Sequence, residues 1–76
     1  MRLSRSKLND LADDQEFGAR RADEGAADAR RHLADTDLGP RDRAVTRAAL
    51  SAHQQNAREL RENAAALRDG VQPDEL

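Results

Sequence analysis

Between Ser6 and Asp69 the chain carries one strong interruption, Thr36-Asp37-Leu38-Gly39-Pro40. Proline cannot continue a preceding helix, because it lacks an amide hydrogen and its ring clashes with the turn before it. It does suit the first position of a new helix. On either side Ala, Leu, Arg, Glu and Gln dominate, and all of them favour helix. Thr36, Val45, Thr46 and Val71 are the whole supply of β-branched residues. The pattern predicts an all-α, antiparallel two-helix hairpin in a single domain. Its first helix covers about 5–35, its turn 36–40, its second helix about 41–69, and a flexible tail 70–76. Ser4 or Ser6 can cap the first helix. Gly70, with Pro73 close behind, reads as a stop for the second.

The first helix contains a repeat. In sevens from Leu8 it reads LNDLADD, QEFGARR, ADEGAAD, ARRHLAD. One column holds Leu8, Gln15, Ala22 and Ala29, and a second holds Leu11, Gly18, Gly25 and His32. A third holds Ala12, Ala19, Ala26 and Leu33. All three lie on one face of a helix. That face has leucine at its ends and Ala/Gly between, so a second backbone can come close. A glycine inside a helix costs about 1 kcal/mol relative to alanine, and a close neighbour would offset that. The competing expectation is a break at Phe17-Gly18, giving three helices.

The second helix repeats the spacing with Leu50, His53, Ala57, Leu60, Ala64, Leu67 and Val71. Folded antiparallel about Gly39, the two stripes match. Leu67 comes opposite Leu11, Leu60 opposite Gly18, Ala57 opposite Ala22 and His53 opposite Gly25, with Leu50 near Ala29. Large side chains then face small ones, as knobs face holes in a coiled coil.

Such a seam is thin. Of the 76 residues 37% are apolar, but 15 of these residues are alanine, and Leu, Val and Phe together number 12. Burying a leucine contributes about 1.5–3 kcal/mol, against ordering costs of about 1.5 kcal/mol per residue. A hairpin covering one face of each helix therefore calls for a second copy or a partner. The expected assembly is a homodimer that forms a four-helix bundle with two-fold symmetry.

Composition also removes several classes. Without cysteine there is neither a disulfide framework nor a thiolate zinc site. Thirteen Lys+Arg against fifteen Asp+Glu leave a net charge of −2. The longest charge-free run, Ala48 to Ala57, includes Gln54, Gln55 and Asn56, which no membrane-spanning helix would tolerate. The basic N-terminal residues are followed by no apolar stretch of the secretory kind, so a cytoplasmic location without membrane contact is expected.

The residue inventory points away from catalysis. No Ser-His-Asp arrangement is readable around His32 or His53, and a histidine on such a seam reads as a packed or edge polar group. Protonation near pH 6.5 would make that seam pH-sensitive. Asp10, Asp13, Asp14 and Glu16 cluster, but Arg20 and Arg21 follow directly, which fits a solvated face with intrahelical ion pairs. The four glycines are scattered singly and build no phosphate loop. No cofactor, metal ligand or catalytic group is expected.

Two surfaces remain as partner-binding candidates. Phe17, the sole aromatic, falls among Asp13, Asp14, Arg20 and Arg21, away from the seam, and either resembles an interface anchor or tucks into the second hairpin of the dimer. Arg43, Arg47, Arg58, Arg61 and Arg68 form a stripe expected opposite the leucines of the second helix. The function expected is a non-enzymatic protein–protein interaction module: an adaptor, inhibitor or regulator acting on an unidentified protein. The alternative is a nucleic-acid-associated protein whose arginine stripe follows a phosphate backbone.

Overall fold

The computed structural model describes residues 2–76. Helix α1 spans Arg5–Leu33 and helix α2 spans Pro40–Arg68, followed by a 3₁₀ turn, α3, at Pro73–Glu75. The two long helices pack antiparallel as a hairpin measuring 54 × 17 × 14 Å. Helix α1 is continuous through Gly18 and Gly25, so the three-helix alternative does not occur.

Local chemistry sets the helix ends. The Ser4 hydroxyl accepts from the Lys7 amide at 3.2 Å and caps α1. Pro40 occupies the first turn of α2, where a missing amide hydrogen leaves nothing unpaired. Gly70, at φ 98°, ends α2 in a Schellman motif. There the Val71 amide donates to the Ala66 carbonyl at 3.0 Å and the Gly70 amide to Leu67 at 3.1 Å.

The buried apolar residues are Leu8, Ala12, Ala19, Ala22, Ala26 and Ala29 of α1 with Ala57, Ala64 and Leu67 of α2. Seven of these nine are alanines, so the helices meet largely through methyl groups. The bulky packing lies at the end remote from the turn, where Leu8, Ala12, Ala64 and Leu67 cluster with Leu11 against them. Leu33, Leu50, His53 and Leu60 are half-buried along the seam, whereas His32 at the end of its column is exposed.

The glycines explain how close the helices come. A Cβ placed on Gly18 would lie 3.2 Å from the Leu60 Cδ1. On Gly25 it would lie 2.7 Å from the His53 Cε1, inside contact distance. These are two of the pairs that the matching of stripes expects. Each glycine is the hole for one large side chain, and that contact offsets its poor helix propensity.

The segment after Gly70, expected as a flexible tail at 70–76, packs back against the start of α1. Gln72 is buried, and its amide clasps the backbone of Leu3. The Leu3 amide donates to Gln72 Oε1 at 2.7 Å, while Gln72 Nε2 donates to the Leu3 carbonyl at 3.3 Å. Arg5 Nη1 also donates to the Arg68 carbonyl at 2.6 Å. The chain turns back because Gly70 takes the left-handed conformation that redirects it across the start of α1.

Two outcomes follow from this packing. Gly25→Ala lowers the thermal midpoint in the native background, because the new methyl displaces the His53 ring. In a His53→Ala background the same change raises it, since the propensity gain of about 1 kcal/mol is then unopposed. Thermal unfolding of the four variants in this cycle measures both signs. Gln72→Ala destabilises the chain by about 1 kcal/mol through loss of the clasp, read from urea unfolding.

Candidate functional site

Charged side chains gather along one flank of the interhelical seam. Arg68 reaches across from α2 to Asp13, with Nη2 2.7 Å from Oδ1, and to Glu16, with Nε 3.2 Å from Oε1. One turn pair nearer the hairpin bend, the Arg61 guanidinium forms a two-pronged pair with the Asp23 carboxylate. Hydrogen bonding to Arg61 holds the Asp23 carboxyl below its usual range, and Arg61 itself is raised by the same bond. Glu16 and then Asp13 raise Arg68 further above the ordinary arginine value. A planar guanidinium suits this role because its fork of donors matches a carboxylate.

Arg43 does something different. From the first turns of α2 it donates to the Leu33 carbonyl through Nη1 and to the Asp35 carbonyl through Nη2, each at 2.9 Å. These oxygens belong to the end of α1 and the turn behind it, where backbone carbonyls have no helical partner. The Asp35 carboxylate adds a local turn by accepting from the Asp37 amide at 2.9 Å. Arg43 is therefore a clamp on the hairpin bend.

The arginine stripe thus needs correcting. It does not lie opposite the leucines. With about 100° per residue, Arg61 sits only about 40° around the helix from Ala57, and Arg68 the same from Ala64. Both flank the seam, close enough to pair with α1. Arg43, Arg61 and Arg68 are taken up by partners in the chain itself. Arg47 and Arg58 are exposed and make no ion pair among the described residues.

Two shallow grooves run along this flank and share Arg61 and Ala65. One is bordered by Asp23, Gln54 and Arg58, the other by Glu16, Arg20 and Arg68. The Asp23–Arg61 pair forms part of the first wall together with Ala57, Ala65 and Arg58, and the Glu16–Arg68 pair forms part of the second.

The outward faces carry the exposed apolar groups. Phe17 is 56% exposed on the back of α1, with the Arg20 guanidinium 5.9 Å from its ring centroid. That geometry is a cation–π contact at the outer end of the usual range. Arg21 beside it is exposed. On the back of α2, Val45 is 63% exposed and Ala48 and Ala52 lie open beside it.

Among the described residues no hydrogen bond joins His32 or His53 to a hydroxyl or carboxylate. No cluster of three metal-ligating side chains is found among them either. Among the described residues no helix is long and apolar enough to cross a membrane. Comparison with protein-family models, curated proteins and solved structures returns no match to this chain.

The Asp23–Arg61 pair has a defined pH signature. A carboxyl whose pKa is depressed on folding stabilises the native state above its unfolded pKa of about 3.9. The contribution disappears as pH falls through the lower folded value. Native protein is therefore more stable than Asp23→Asn at pH 6, and the gap narrows as pH falls below the unfolded value. Chemical denaturation at a series of pH values measures it.

Proposed function

We propose that the chain is a small helical protein–protein interaction module that acts as a homo-oligomer, with two hairpins associating into a four-helix assembly. The observation that carries this reading is the one-sided burial of both helices. The seam is largely alanine, while Phe17 and Val45, the largest exposed apolar side chains within the helices, point away from it. A hairpin of this size that leaves such groups open gains most from covering them with another helical surface.

Within this reading Phe17, Arg20 and Arg21 form the anchor for a separate protein partner. The ring offers apolar area, and the guanidinium beside it offers directional donors for an acidic or carbonyl-bearing surface. The nucleic-acid alternative is the weaker one. It needs a free arginine row, and Arg43, Arg61 and Arg68 are occupied within the hairpin, leaving Arg47 and Arg58.

Sedimentation equilibrium at micromolar concentration is expected to give twice the chain mass. A folded, fully helical monomer at all concentrations would defeat the oligomer reading. Phe17→Ala is expected to keep both that mass and the helical circular dichroism while losing capture of the partner. Loss of the dimer instead would place Phe17 in the self-association interface.

A further inference from the structure

The back of α2 carries an ordered pattern of its own. Arg41, Val45, Ala48, Ala52, Gln55 and Glu59 follow one another at steps of four and three, so they form a single stripe facing away from α1. All six are exposed. The stripe is basic at one end, acidic at the other and uncharged between. Neither Arg41 nor Glu59 joins an ion pair among the described residues, and Glu59 only accepts from Gln55 Nε2 at 3.1 Å.

The positions of the stripe are also symmetric about the level of Leu50. Reversed about that point, Arg41 exchanges with Glu59, Val45 with Gln55 and Ala48 with Ala52. A two-fold axis there would lay a second α2 antiparallel on the first. It would bring unlike charges together at both ends, about 27 Å apart along the helix. In the middle, alanine would meet alanine, which allows axes to approach to about 8 Å. Beside it, Val45 would cover the aliphatic stem of Gln55. A two-fold interface must be complementary to itself, and this face satisfies that condition in charge and in size. The back of α1 does not, because Phe17 sits among Asp13, Asp14, Arg20 and Arg21, all of which would lose water on pairing.

We infer that a second copy of this chain docks on the Arg41–Glu59 face of α2, antiparallel, with its two-fold axis at the level of Leu50. The inference rests on the homo-oligomer reading above and names its surface. The two α2 helices form the centre of the assembly, with the α1 helices outside them.

Charge exchange tests the surface and its direction together. Arg41→Glu and Glu59→Arg each place like charges at both ends of the interface, and each is expected to weaken the dimer about tenfold in low salt. The double exchange is expected to restore it to near the native dissociation constant. Ala52→Glu puts two carboxylates at the centre and is expected to give a monomer. Glutamate is a good helix former and the site is exposed, so far-UV circular dichroism should stay helical. A native dimer that is indifferent to Ala52→Glu and to both reversals overturns this surface while leaving the oligomer reading intact. A native monomer at every concentration overturns both. Weakening by the single exchanges without recovery in the double overturns the antiparallel arrangement.

Discussion

Everything in this hairpin depends on how near two helices can come when one of them lacks side chains at chosen points. Gly18 and Gly25 leave openings on α1, and Leu60 and His53 of α2 fill them. Dispersion contacts decline steeply with separation, so a seam made mainly of methyl groups contributes usefully only at close approach. Bulkier residues at those positions would hold the helices apart and strip contacts from every alanine along the seam. Two poor helix formers are thus what makes an alanine interface cohesive.

The stabilising elements are divided along the length. Leucine packing is concentrated at the open end, around Leu8, Leu11 and Leu67. The bend, where Leu33 and Leu38 are only half-buried, is held also by Arg43, which donates to the Leu33 and Asp35 carbonyls. Between these poles the flank is tied by Arg61 and Arg68 to carboxylates on α1. Exposed pairs of this kind contribute modestly, but they lie on one side only. Direction is their main effect: they set which flank of the hairpin is charged and leave the back of α2 neutral along most of its length.

The hairpin, the stripe register and the stop at Gly70 were all legible from spacing and from the special conformations of glycine and proline. These features repeat with the helix period or depend on backbone chemistry a residue or two away. The roles of Arg43, Arg61, Arg68 and Gln72 were not. For the first three, residue type suggested a free basic row. Helix arithmetic carried through from Ala57 to Arg61 and from Ala64 to Arg68 would have put two of them at the edge of the seam. Nothing local marks Gln72. Its partner is Leu3, at the far end of the chain, and only the turn at Gly70 brings the two together. The Phe17 environment was readable because neighbours on one helix surface are set by sequence distance alone.

The clasp between Gln72 and Leu3 gives the molecule a second junction between its helices. One junction is covalent, through Gly39 and Pro40, and the other is a pair of hydrogen bonds at the opposite pole. Topologically the chain approaches a closed ring in which either pole can serve as the hinge. Parting the helices from the open end first requires releasing Gln72, and parting them at the bend requires releasing Arg43. A motion that slides one helix along the other would strain both poles at once. The seam is thereby held in register at two places while its sides stay free to meet other surfaces.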